Sequence, residues 1–235
     1  MRFIISYFVL SVLILSIADS QYAIEFQGGI TNNGTFTAGS GTYTFDTNSQ
    51  ALTGTFVIPN VTVSGTGVTL TNNNALTVAT LLTITSPGIL LNNGTITATT
   101  ALSGTGTFTQ GATGILNINF TGPAGIATLT ATATGNTVNY TGAAQTVKAT
   151  TYYNLTLSGS GVKTISTAAS GTLATGNLTI DHTSGATALV TNTGIVVNTL
   201  NLGGVYKAAG NWGYAQDNNY FANTTGYLSV TRLGP

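Results

Sequence analysis

Apolar and polar positions alternate along most of the chain, and the alternation recurs at a fixed step. In steps of twenty, Gly34, Gly54, Asn74, Gly94 and Gly114 fall on one phase. Two residues on come Phe36, Phe56, Leu76, Ile96 and Leu116, and two further on Ala38, Ile58, Val78, Ala98 and Ile118. The residues between these apolar columns, Thr37, Val57, Thr77, Thr97 and Asn117, are mostly polar. Each copy therefore reads as a turn followed by a strand whose side chains alternate between a core and an outer face. Glycine and asparagine suit the turn because they tolerate positive φ best. NNGTFTA at residues 32–38 and NNGTITA at residues 92–98 are the first and fourth marks of this ruler.

No copy has helical spacing, so the period predicts a coiled sheet in which each repeat stacks on the previous one: an all-β, single-stranded parallel β-helix, or β-solenoid. A leucine-rich repeat has a similar length but needs several Leu and an Asn in one fixed frame, which these copies lack. The apolar columns become interior ladders, and outward Thr and Asn form ladders of their own at about 4.8 Å per rung. The register breaks at Thr121-Gly122-Pro123-Ala124-Gly125. A looser repeat then follows, marked by Asn154-Leu155-Thr156-Leu157, Asn177-Leu178-Thr179-Ile180 and Thr199-Leu200-Asn201-Leu202, at spacings of 23 and 22. The expectation is one solenoid over residues 21–204, its rungs of about 20 residues lengthening to about 22–23 across residues 121–136.

Both termini differ from the repeats. Arg2 precedes an apolar run from Phe3 to Ile17 and then Ala18-Asp19-Ser20, which predicts a signal peptide over residues 1–20 cleaved before Gln21. The run is shorter than the roughly 20 apolar residues that cross a bilayer, so membrane contact is expected through this leader only. At the other end, Tyr206, Trp212, Tyr214, Tyr220, Phe221 and Tyr227 concentrate aromatics within residues 205–235. A solenoid end exposes unpaired backbone and core, so a cap is expected there. Because flat rings also stack on apolar sugar faces, the same six residues are a candidate glycan-binding platform.

Composition narrows the function classes. Charged residues make up 4% of the chain and the formal net charge is zero, while 42% is hydrophobic. Disorder needs low hydrophobicity and high net charge, so the chain folds. Abundant Thr and Asn, with 30 Gly and four Pro, favour strands and tight turns over helices. No basic groove is available for nucleic acid. With no Cys there is neither a disulfide nor a lipid acceptor, so stability rests on packing and hydrogen bonds.

Few residues carry chemistry. Ser158-Gly159-Ser160-Gly161-Val162-Lys163-Thr164 suggests a phosphate loop, but Val162 separates Gly from Lys and a strand rather than a helix follows. Ser64-Gly65-Thr66-Gly67 and Ser103-Gly104-Thr105-Gly106 repeat the segment without Lys, which marks it as a turn. Asp181-His182 has acid–base potential but sits where sister repeats turn, with no nucleophile or second His nearby in sequence. Glu25, Asp46 and Asp217 lie far apart, so no catalytic carboxylate cluster, metal site or cofactor site is expected. Asn-x-Thr at Asn33, Asn60, Asn93, Asn119, Asn139, Asn154, Asn177 and Asn223 would be glycan acceptors in a host with the transferase, although this composition generates the triplet freely. Thr-x-Thr runs such as residues 128–134 admit an ice-binding array as well as plain β-branched filler of an outer face.

NNGTITATTALSGTGTFTQGATGILNI and AAQTVKATTYYNLTLSGSGVKTI resemble the Thr/Gly/Asn-rich strand repeats of bacterial secreted adhesins and autotransporter-type passengers, and GNWGYAQDNNYFANTTGYLSV is similar to their terminal segments. The resemblance implies a right-handed parallel β-helix displayed outside the cell as a stalk or adhesive surface, and it supplies no catalytic residues. The expected function is that of a secreted or cell-surface, non-enzymatic structural or adhesive protein, whose partner would be an extracellular glycan or surface receptor. The alternative is a filament subunit that self-associates through its solenoid ends. A polysaccharide-active enzyme ranks lower.

Overall fold

The computed structural model describes residues 29–166 and 171–235, together with the backbone of Phe3–Ile5, Val9–Leu10 and Ile24–Phe26. The expected leader otherwise lies outside the described residues. The protein is a β-solenoid: among the described residues there is no helix, and most strand pairs are parallel. The chain divides into two compact units, Met1–Leu116 with Gly125–Leu129, and Asn117–Ala124 with Thr130–Pro235. The division falls where the repeat changes its step.

In the first unit each coil contributes to three strand stacks. In one, Phe56 lies on Leu76 and Leu76 on Ile96, each 20 residues apart. In the second, Phe45 lies on Val63 and Val63 on Ile84, at steps of 18 and 21. In the third, Leu52, Asn72, Asn92 and Gln110 stack at steps of 20, 20 and 18. Period-two alternation is what turns the apolar columns inward: Phe56, Leu76, Ile96 and Leu116 are buried, as are Ile58, Val78, Ala98 and Ile118. Each such aliphatic side chain contributes about 1.5–3 kcal/mol by leaving water. Phe36 opens its column half-buried, edge-on to Phe56 with ring centroids 5.2 Å apart.

The expected turn glycines have two physical reasons rather than one. Gly54 does hold a positive φ of 106°. Gly94 and Gly114 do not; they are glycine because their backbone runs against the coil below, where a Cβ would strike the carbonyl oxygen of Asn74 or Asn92. Sequence shows that a glycine is needed, but not whether torsion or crowding needs it.

The second unit follows the same logic with less regular steps. Val138 lies on Leu155, Leu155 on Leu178 and Leu178 on Leu200, at steps of 17, 23 and 22. Beside this stack, Val147, Ile165 and Val190 superpose at steps of 18 and 25. The expected steps of 23 and 22 hold at Leu155, Leu178 and Leu200, while the neighbouring stack takes 18 and 25. The apolar columns stay in register, while bulges between them, at Ile58/Asn60 and across residues 172–177, and the corners absorb the added or missing residues.

The parallel stacking ends in a reversal. Tyr227–Val230 runs parallel to Ile195–Val197, but Gly210–Gly213 joins its other side antiparallel, and Val205–Tyr206 folds back antiparallel on Asn201–Leu202.

Candidate functional surface and interior polar sites

Outward positions align from coil to coil because their inward neighbours do. In the first unit, Thr55, Ala75 and Thr95 form one column and Val57, Thr77 and Thr97 the next. In the second, Asn139, Thr156 and Thr179 stack in register, as do Thr137 and Asn154; Asn201 and Thr199 continue the Thr179 and Asn177 columns but are buried. Here the ladder is joined by side chains: Thr199 Oγ1 donates to Asn177 Oδ1 at 2.9 Å, and Asn177 Nδ2 donates to Thr179 Oγ1 at 2.7 Å. Between Gly29 and Leu129 the only charged residue is Asp46. The outer face of the first unit is thus an array of hydroxyls, methyls and amides carrying almost no fixed charge.

The two asparagines of each NNGT point to opposite sides. Asn33 is exposed, whereas Asn32 is buried at 8% exposure and Asn92 at 0%. The expectation that these asparagines form outward ladders is therefore corrected for the first of each pair, because the apolar alternation that turns Phe56 inward also turns the ends of the third stack inward. Asn72 Nδ2 donates to Asn92 Oδ1 at 2.8 Å, and Asn92 Nδ2 donates to Gln110 Oε1 at 2.7 Å and to the Ile115 carbonyl at 2.9 Å. Carboxamides suit an interior column because each is both donor and acceptor, so their buried amide groups find partners on neighbouring coils, although Asn72 Oδ1 accepts no hydrogen bond.

The second unit places a charge in the equivalent role. Lys163, dismissed above as a phosphate ligand, is an inward residue of Val162–Ile165 with 0% exposure. Its ammonium donates to the carbonyl oxygens of Gly142, Ala143 and Ser160 and, at 2.8 Å, to Oε1 of Gln145. Gln145 in turn donates to the carbonyls of Ile118 and Phe120, both at 2.8 Å. Burial disfavours the ammonium and lowers the Lys163 pKa from 10.5 to about 8. A phosphate could not reach it, so the turn reading of residues 158–161 stands, with Gly159 and Gly161 at φ of 72° and 67°.

Two buried tyrosines close a second polar knot. Lys148 N–H donates to Tyr140 Oη at 2.9 Å, the phenols meet at 3.1 Å, and Tyr152 Oη donates back to the Lys148 carbonyl at 2.8 Å. Desolvation raises both phenol pKa values, that of Tyr152 strongly. Neither residue was singled out in the sequence, where a Tyr on an inward phase is indistinguishable from ordinary core.

Asp181 and His182 sit at a turn, as expected. Asp181 Oδ1 accepts from the backbone and hydroxyl of Thr183, and these bonds hold its carboxyl below the usual range. His182 Nδ1 lies 2.9 Å from the Ala186 carbonyl, and its ring meets Tyr220 edge-on at 5.7 Å. The carboxylate thus braces its own turn, and the imidazole packs against the terminal segment.

The six aromatics differ in their surroundings. Phe221 is buried and its backbone bridges Ala188; Tyr220 sits over Gly203, and Tyr206 over Gly234. Trp212 lies half-buried beneath the Lys207 ammonium, 5.4 Å from its ring centroid, and donates Nε1–H to the Ala208 carbonyl at 2.9 Å. Tyr227 is half-buried and Tyr214 is the most open at 37% exposure. Of the glycosylation triplets, Asn139, Asn154 and Asn177 use their carboxamides within the stack, bonding Asn117 Oδ1, the Asn177 backbone and Thr179 respectively. Asn33, Asn119 and Asn223 are exposed.

No family model matches the sequence, and no curated protein or solved structure is significantly similar to it.

Proposed function

We propose that the protein is a secreted or cell-surface structural and adhesive element that works through its stacked outer face rather than through a pocket. The observation that carries this reading is the registered outward array, in which Val57–Thr77–Thr97 and Asn139–Thr156–Thr179 repeat small methyl-bearing and polar groups from coil to coil. Such an array binds by multiplying weak, similar contacts, and avidity rises with every additional engaged copy. Near-absence of fixed charge removes long-range steering and leaves short-range hydrogen bonding and methyl contact as the means of attachment. The leader-like segment at residues 1–20 and the resemblance to secreted adhesin repeats support an extracellular setting.

The test is adhesion of beads coated with the exported protein to cell surfaces and glycan arrays, beside a Thr77→Lys/Thr97→Lys variant. The reading expects the variant to lose adhesion while keeping its unfolding midpoint. Adhesion that persists in this variant but disappears in Trp212→Ala would move the function to the terminal aromatics. Hydrolase or lyase turnover on polysaccharide that is abolished by His182→Ala would replace the adhesive reading with an enzymatic one.

A further inference from the structure

A parallel solenoid leaves backbone donors and acceptors unpaired wherever its stacking stops, and buried or edge backbone groups need partners. The two extremities of this chain treat that need differently. After Tyr227–Val230, the antiparallel strand Gly210–Gly213 breaks the parallel pattern with a short edge, next to Lys207 and Arg232. Short reversed strands and nearby cations are devices that discourage further strand addition. At the other extremity the first coil presents Ile30–Asn32, which pairs on one side with residues 52–54. Its other side is taken by the leader: Val9 lies on Thr31 and Leu10 on Asn32, while Phe3–Ile5 lies parallel on Ile24–Phe26. The leader thus imitates one more rung, at steps of 22 and 21 residues.

We propose that removing the leader opens the Ile30–Asn32 edge and that its occupant in the exported protein is the same edge of a second copy, giving a closed two-fold dimer. The proposal rests on the secreted reading above for the cleavage step, but the pairing itself is a property of the strand. A second copy fits for three reasons. Residues 27–45 contain no charged residue and no Pro, so the Ile30–Asn32 edge itself carries none of the usual guards against edge pairing, the nearest charge along the chain being Glu25. Ile30 and Asn32 are inward and Thr31 is half-buried between them. An antiparallel pairing centred on Thr31 sets Ile30 against Asn32 of the mate in both directions, so both inward positions stay inward and the contact is self-complementary. Because the contact uses the same edge on both copies, it closes on itself and cannot propagate, and a dimer rather than a filament results.

The experiment is sedimentation velocity at several concentrations on the exported protein, after its first residue has been read by N-terminal sequencing. Sequencing tests the cleavage alone, and an intact leader on the exported chain would remove the secreted reading's cleavage site without touching the pairing. The expected result for the cleaved chain is a species of twice the monomer mass, converted to monomer by Thr31→Lys and retained in Thr31→Ser. Asn211→Lys on the opposite edge is expected to leave the dimer intact. Hydrogen exchange supplies a readout independent of mass: the backbone of residues 30–32 is expected to gain protection as concentration rises, and to lose that dependence in Thr31→Lys. A cleaved chain that stays monomeric with concentration-independent exchange at residues 30–32 would overturn the proposal, as would filaments, or a dimer sensitive to Asn211→Lys and not to Thr31→Lys.

Discussion

At the scale of single residues, the fold depends on polar side chains that a hydropathy reading places on the wrong side. Asn92 and Asn93 are adjacent and chemically identical, yet one bonds Asn72, Gln110 and Ile115 in the interior while the other is half-buried at the corner. Asn92→Ala strands buried donors and acceptors on both neighbouring coils, so it is expected to cost about 2–4 kcal/mol. Asn93→Ala is expected to stay within about 0.5 kcal/mol, and urea unfolding of the pair measures the contrast. Lys163 is a similar case: an ammonium enclosed by three carbonyls and Gln145 is a cation that the protein supplies from its own chain. Lys163→Met fills the volume but takes the ammonium donor away from those oxygens, and is expected to destabilise by about 2–4 kcal/mol.

At the scale of elements, the apolar columns keep register and the bulges and corners between them vary. Steps of 20 in one stack coexist with 18 and 21 in its neighbours, since a one-residue slip within a strand would send Phe56 or Ile96 to the outside, whereas an added residue at a corner displaces only a loop. Glycine shows the same division. Gly67 has a φ of 73° with open space around it, whereas Gly94 has ordinary torsions but its pro-Cβ position lies against the backbone of Asn74. Gly67→Ala is expected to cost about 1 kcal/mol through torsion alone. Gly94→Ala must push two coils apart and is expected to cost more, about 1–3 kcal/mol, with broader hydrogen exchange in residues 75–78 and 95–98 as the confirming sign. The period of twenty is legible from these columns in the sequence; that Gly94 is required by crowding alone and Gly54 by both torsion and crowding is not, because crowding is a property of the neighbouring coil.

At the scale of the whole molecule, so few ionisable groups remain that pH acts through a handful of buried ones. The Lys163 pKa is about 8 in the folded chain against 10.5 for a free side chain. Between those values the unfolded chain binds more protons than the folded one, so stability rises with pH across that window, by on the order of 1–3 kcal/mol. Tyr140 and Tyr152 act in the opposite sense: their raised pKa values mean that the unfolded phenols ionise first, so stability falls again once pH passes 10. Urea midpoints from pH 7 to 11 are therefore expected to pass through a maximum near pH 9–10, and Lys163→Met is expected to abolish the rising limb while leaving the fall. A flat profile would place the ammonium in water rather than in its cage.

Sequence alone determined the β-solenoid, the columns that line its interior and the stretch near residues 121–136 where the step changes, because period-two alternation repeated at a constant interval has one economical packing solution. It also identified the turns at Ser158–Gly161 and Asp181–His182, since neither segment continues a strand pattern. Only the tertiary structure decided which polar residues face inward. Whether Asn92, Gln145 and Lys163 are core or surface depends on the acceptors that the coils above and below bring within 3 Å of them, and those partners lie about twenty residues away in the chain. The place of Val9–Leu10 beside Thr31–Asn32 and the reversed strand Gly210–Gly213 were likewise decided in three dimensions, because an edge is defined by the strand that is or is not beside it.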